Sequence, residues 1–139
     1  MRCRKLKIFI LKVGVILNKR VLNDNVLEIR NEHGETLISF FEEMNGNVMF
    51  IKVIGEIKNE VSHDFEDEIM AAFSVSGNIK IDLSETTHIS SLAMKSLLSV
   101  QQIIDDIPGS SMVISALSNE VEKMFEESGF IDILYIEKQ

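Results

Sequence analysis

The sequence predicts an α/β domain, a mixed β-sheet with helices packed on it, in the order β-β-α-β-α-β-α-β after an N-terminal extension. Three observations predict it. Runs rich in Ile, Val, Leu, Met and Phe at 36–44, 48–54, 79–83, 112–117 and 131–136 read as strands. From residue 59 on, segments of helical period separate these runs, led by Val61, Phe65, Ile69 and Phe73, four residues apart. Turn formers punctuate the chain between the runs: Asn45-Gly46-Asn47, Ser76-Gly77-Asn78, Pro108-Gly109 and Gly129. Strands alternating with helices bury their apolar faces by stacking the helices on a sheet. With 139 residues the chain suits one domain, and at 45% apolar it is too hydrophobic to stay disordered.

Taken in order, residues 1–35 form the N-terminal basic/apolar extension. Leu6 to Leu17 carries β-branched and aromatic residues that suit a strand, while Leu6, Ile10, Val13 and Leu17 also make a helical stripe. The pattern leaves both open, and the segment reads as packed on the domain or on a second copy of it. Its basic start and apolar middle look like a secretory signal, but Lys12 interrupts the apolar part and Asn18-Lys19-Arg20 is a poor cleavage site. Val26 to Arg30 is a further strand candidate, turning at Glu32-His33-Gly34-Glu35.

The domain proper spans 36–139. Strands Thr36–Met44 and Val48–Ile54 make a hairpin through Asn45-Gly46-Asn47, because Asn and Gly both tolerate positive φ. The second of these strands is almost continuously apolar and reads as buried on both faces. Asn59–Phe73 is a helix with acids at 64 and 66–68, early and outward, where they suit the helix dipole. Ile79–Leu83 is a strand, Ser84 to His88 a polar turn, and Ser91 to about Asp106 a helix with apolar residues at Leu92, Leu97, Leu98, Ile103 and Ile104. Pro108-Gly109 stops that helix. Met112–Leu117 is a strand. Ser118 or Asn119 caps a helix whose inner face is Val121, Met124 and Phe125, and Gly129 ends it. Ile131–Ile136 is a last strand.

Composition excludes several functions. The net charge is −8, yet residues 1–20 hold seven basic residues and no acid, which leaves 7 basic against 22 acidic residues, net −15, in the rest. An acidic body repels phosphates, so no nucleic acid is expected as partner, whereas a basic protein surface fits. Contact with an anionic membrane surface is expected only through residues 1–20. Cys3 is the single cysteine, so no internal disulfide forms, and a reducing, cytoplasmic setting fits.

No catalytic constellation is visible. His33, His63 and His88 stand apart from one another and from Cys3, unlike metal ligands. A Gly-rich phosphate loop and a Gly-x-Ser-x-Gly elbow are missing. The seven methionines read as core filler. The expectation is no catalytic residue, no metal and no cofactor. The chemistry that remains is Ser90-Ser91 at a helix entrance, where a Ser hydroxyl caps backbone N–H groups and the helix end favours an anion.

Asp82-Leu83-Ser84 closing a strand, followed after a short loop by Ile89-Ser90-Ser91 entering a helix, resembles the signature of the STAS domain, the fold of bacterial anti-sigma factor antagonists. Gly55-Glu56-Ile57 resembles the Gly-Glu-Leu that ends an earlier strand of that fold, and Glu127-Ser128-Gly129-Phe130 the turn before its last strand. The resemblance covers about residues 36–139 and implies a STAS-like fold. It departs at Ser90 and Lys58, where aspartates are common, and at Ala93, where glycine is usual.

In that family the serine or threonine just before the helix is phosphorylated by a partner kinase. The matching residue is Ser91, with Ser90 the second choice. The resemblance implies a non-catalytic regulatory protein-interaction module that binds an anti-sigma factor of the serine-kinase type and so frees a sigma factor. The implied partner surface comprises Thr86, Thr87, His88, Ser90, Ser91, Leu92, Lys95 and Lys58. A phosphate there adds about −1.5 to −2 charge in the middle of that surface, with Lys95 one helical turn away. The other reading the resemblance offers is an accessory STAS subunit of a membrane lipid-transport complex, favoured by the basic segment 1–20. A homodimer stays open.

Overall fold

A computed structural model describes residues 19–21 and 25–137. The reading made for Leu6–Leu17 falls outside the described residues, as does that of membrane contact through residues 1–20 for all but Lys19 and Arg20. Among the described residues seven strands form one sheet: β1 (Lys19–Val21), β2 (Val26–Arg30), β3 (Thr36–Asn45), β4 (Val48–Ile57), β5 (Asn78–Leu83), β6 (Thr86–Ile89) and β7 (Ser111–Leu117). Three helices, again among the described residues, interleave with them: α1 (Asn59–Val75), α2 (Ser91–Asp105) and α3 (Asn119–Ser128). The strand order is β1-β2-β3-β4-β5-β7, with β6 alongside the far end of β4. β1 to β4 pair antiparallel, while β4, β5 and β7 run parallel, so the sheet is mixed as expected.

The β3–β4 hairpin forms at the expected place, with Asn45 opposite Val48. Its two-residue turn puts positive φ on Gly46 alone, at 63°, the glycine-first arrangement that suits the twist of a hairpin.

The connections β4–α1–β5 and β5–β6–α2–β7 both lead to a parallel strand, and both step the same way across the sheet. Such crossovers are right-handed, so two steps in one direction lay both helices on the same face. This corrects the expectation that β4 is buried on both faces. Met49, Ile51 and Val53 are buried, whereas the alternate residues Val48, Phe50, Lys52 and Ile54 are not. The inward set continues with Leu27 and Ile29, Ile38 and Phe40, Ile79, Ile81 and Leu83, and Met112 and Ile114. Against it pack Val61, Phe65, Ile69 and Ala72 of α1, Leu97, Val100 and Ile104 of α2, and Val121 and Phe125 of α3. Phe40 and Phe65 stack with ring centroids 6.5 Å apart. Leu27 and Ile29 lie within the segment read as an extension, and they are core residues of this sheet.

Three local expectations change. Ser84 to His88, read as a turn, turns only at Ser84-Glu85; Thr86–Ile89 then resumes beside β4 as β6. Two β-branched threonines and an isoleucine suit that role. The last strand, Ile131–Ile136, is replaced by a 3-10 turn at Phe130–Asp132 and a single parallel bridge from Ile136 to Ile114. The buried Gln101 side chain explains this: it donates to the Ile133 carbonyl at 2.9 Å and accepts from the Tyr135 N–H at 2.9 Å, taking groups a strand ladder would use. Finally, Leu92 and Ile103 of α2 are exposed rather than core.

Candidate functional site

The entrance of α2 is built by a chain of short connections. Glu85 reaches Lys52 of β4 as an ion pair, and hydrogen bonding to Glu85 raises the Lys52 pKa above its ordinary value. The Glu85 carbonyl accepts the Gly55 N–H at 3.1 Å. Thr86 is fully buried and donates its hydroxyl to the Val53 carbonyl at 2.8 Å. The Ser118 hydroxyl donates to the Thr86 carbonyl at 2.5 Å, while its oxygen accepts the Val121 N–H at 3.1 Å and caps α3. At the end of β6 the Ser90 N–H donates to the Ile57 carbonyl at 2.8 Å. The chain therefore enters α2 in a fixed place between the ends of β4 and α3.

Ser90 is the N-cap of α2. Its backbone is extended, at φ −74° and ψ 162°, and its hydroxyl accepts the Ala93 N–H at 3.1 Å. The Ser90 carbonyl accepts the Met94 N–H at 2.9 Å. Of the four N–H groups that a helix start leaves without intrahelical partners, those of Ser91 and Leu92 remain at the open end. Ser91 is the first helical residue and is exposed; among the described residues its hydroxyl makes no hydrogen bond. Leu92, next to it, is 50% exposed. The first turn of α2 contains no acidic residue, so an anion at Ser91 meets no repulsion from its own turn.

The structure brings part of the expected surface together and divides the rest. His88, Ser90 and Ser91 line a shallow groove of about 470 Å³, with Met94, Met124, Glu127 and Ser128. Thr87 and Lys58 lie on a second opening of about 340 Å³, beside Gly55, Glu56 and Val61. Lys58 precedes α1, gives no side-chain cap, and pairs with Glu56 at 3.5 Å. Lys95 and Leu92 are exposed on α2. Thr86 is a correction: it was expected at the surface, and its hydroxyl is spent holding β6 to β4.

Met124, Glu127 and Ser128 were missed by sequence reasoning. They stand more than thirty residues from Ser91 in the chain and reach it only because α3 crosses beside β6. The Ser128 hydroxyl lies 3.5 Å from the Met94 sulfur. No group of three or more potential metal ligands occurs among the described residues. No described helix is long and apolar enough to cross a membrane.

The family model described as the STAS domain matches residues 42–139. No curated protein sequence matches the chain. Among solved structures, an anti-sigma factor antagonist from Mycobacterium paratuberculosis is 18% identical, with a TM-score of 0.61 over 73% of this chain and 86% of that one. The anti-sigma factor antagonist SpoIIAA in its unphosphorylated form is 16% identical, with a TM-score of 0.58 over 72% of this chain and 89% of that one. The phosphorylated form of SpoIIAA, a Bacillus cell fate determinant, is 16% identical, with a TM-score of 0.54 over 72% of this chain and 92% of that one. At these identities the likeness is one of fold.

Proposed function

The chain belongs to the STAS domain family, and on that premise we propose that it is a non-catalytic regulatory module that binds an anti-sigma factor of the serine-kinase type and is released by phosphorylation of Ser91. One observation carries the reading. Of the two serines at the helix entrance, Ser90 supplies the cap, which leaves the Ser91 hydroxyl exposed and unbonded beside the exposed Leu92. The Ser90 oxygen already accepts the Ala93 N–H, and conversion to a phosphate ester would weaken it as an acceptor, whereas the Ser91 hydroxyl has no hydrogen bond to lose.

The switch is electrostatic and steric. Unmodified, Ser91 and Leu92 offer a small, largely apolar contact. A phosphate there adds about −1.5 to −2 charge and three acceptor oxygens. The N–H groups of Ser91 and Leu92 and the helix dipole stabilise it within the domain, while a partner packed on Leu92 meets new charge and bulk. The fold likeness to SpoIIAA, which has been solved both with and without phosphate, supports this reading. The proposed setting is the cytoplasm, where a lone cysteine stays reduced.

The test is binding of the Ser91→Ala and Ser91→Asp proteins to the kinase-type partner, with phosphopeptide mass spectrometry of protein taken from its native cells. Weakened binding by Ser91→Asp, intact binding by Ser91→Ala, and phosphate on Ser91 are expected. Equal binding by the two variants overturns the switch.

A further inference from the structure

Helix α2 is apolar on more than its buried side. Ala93, Leu97, Val100 and Ile104 are buried in the core, yet Leu92 and Ile103 are 50% and 44% exposed. By helical spacing, Leu92, Ser96, Ser99 and Ile103 form one line along α2. The line runs on to Ile107, 41% exposed, in the turn where the Ile107 N–H donates to the Ile104 carbonyl at 3.0 Å. Beside it, and sharing Ser99, runs a second line of exposed residues, Lys95, Ser99, Gln102 and Asp106. Lys95 and Asp106 make no ion pair among the described residues. The first turn of α2 holds no acid and its last turn no base. The exposed face therefore runs from a positive end, with Lys95, to a negative end, with Asp105 and Asp106.

We propose that this face docks on the same face of a second copy, the two α2 helices lying antiparallel about a two-fold axis at Ser99. A face that is positive at one end and negative at the other complements itself when turned end for end, as a two-fold axis turns it. Such an axis sets each line of α2 against the same line of the other helix. Leu92 of one copy then meets Ile103 and Ile107 of the second copy, and Lys95 meets Asp106. Ser99 and Ser96 fall near the axis, where small side chains let two helices approach closely. The apolar residues that the fold leaves in water on α2 are thereby covered, and both free charges of the second line are matched. A helix of 15 residues is about 22 Å long. One such helix pair buries less than the roughly 800 Å² per partner of a stable interface, so the dimer is weak and exchanges readily. Because Leu92 also belongs to the partner contact proposed above, self-association and that contact exclude each other. The pairing itself needs neither the partner nor a phosphate, and it stands if the phosphorylation reading fails.

The test is sedimentation velocity and methyl NMR of the full chain from about 10 μM to about 1 mM, the range in which so small a contact associates. As concentration rises, the parent is expected to sediment faster and to shift the methyls of Leu92, Ile103 and Ile107, while those of Ile54 and Val113 on the sheet stay in place. Lys95→Asp sets carboxylate against carboxylate across the axis, and Asp106→Lys sets ammonium against ammonium. Each is expected to weaken self-association by about fivefold or more. Mixed one to one, the two variants are expected to associate as the parent does, because every carboxylate then meets an ammonium group. Both positions are exposed, and unmoved inner methyls of Ile51 and Leu97 report that the variants are folded. A parent that stays monomeric throughout the range overturns the proposal. So do shifts centred on another face, and so does a mixture that associates no better than either variant alone.

Discussion

The Ser90 N–H donates to the Ile57 carbonyl at 2.8 Å, and this bond ties the start of α2 to the end of β4. It ranks with the Ser90 cap as the reason that neighbouring serines have different fates. Held from behind by Ile57, Ser90 turns its hydroxyl into the helix toward Ala93. Ser91, one residue on, is carried round to the solvent side.

That division predicts unequal stability effects. Ser90→Ala removes an N-cap and is expected to cost about 0.5–2 kcal/mol. Ser91→Ala removes an exposed hydroxyl without a partner and is expected to stay within about 0.5 kcal/mol of the parent. Urea denaturation of both variants checks this; equal losses would mean that the hydroxyls share the cap.

Leu92 is half exposed at the same helix end, so its side chain contributes little to folding. As an apolar anchor at the centre of a partner surface it is expected to cost at least about 1 kcal/mol of binding when truncated. The Leu92→Ala protein should keep its unfolding midpoint and bind the proposed kinase-type partner roughly fivefold or more weakly, measured by calorimetry. Unchanged affinity would place the interface elsewhere.

Gly55 supports the site from below. Its φ is +116°, and a Cβ there would lie 3.3 Å from the Leu37 carbonyl oxygen. Gly55→Ala therefore meets both a disfavoured backbone and a tight contact, and is expected to cost about 1–3 kcal/mol. Because Gly55 pairs with Thr86, amide exchange should rise first along Thr86–Ser90, which hydrogen exchange of the variant checks.

Tyr135 donates its hydroxyl to Asp105 at 3.1 Å, and this hydrogen bond, followed by the carboxylate's charge, raises its pKa above the ordinary 10.0. The sign follows directly. The contact contributes fully below the ordinary value and is lost as pH rises through the raised one, when phenolate and carboxylate repel. With one tyrosine and no tryptophan in the chain, the near-ultraviolet phenolate absorbance reads this group alone. Its midpoint is expected above 10, and Asp105→Asn should bring it back down.

The local grammar of this protein was legible in its sequence. The hairpin at Gly46, the α1 stripe of Val61, Phe65 and Ile69, a cap at Ser118 or Asn119 (the structure uses Ser118) and the Gly129 stop at φ 84° all depend on neighbours within a few residues, where propensity and period act. The family resemblance likewise rested on short contiguous motifs, and it located the Ser90-Ser91 entrance. Tertiary structure decided the rest. Right-handed crossovers stepping one way left β4 with one buried face, a choice that a continuously apolar strand does not reveal. Thr86 became a buried clasp because Val53 lies thirty-three residues back, beside it. Gln101 took the backbone groups that Ile131–Ile136 would have used as a strand. Met124 and Glu127 joined Ser91 across a groove because α3 crosses near β6. Each of these depends on which face an element presents and which distant backbone group it meets. Burial and hydrogen-bond pairing are properties of the packed chain, and periodicity along the sequence does not contain them.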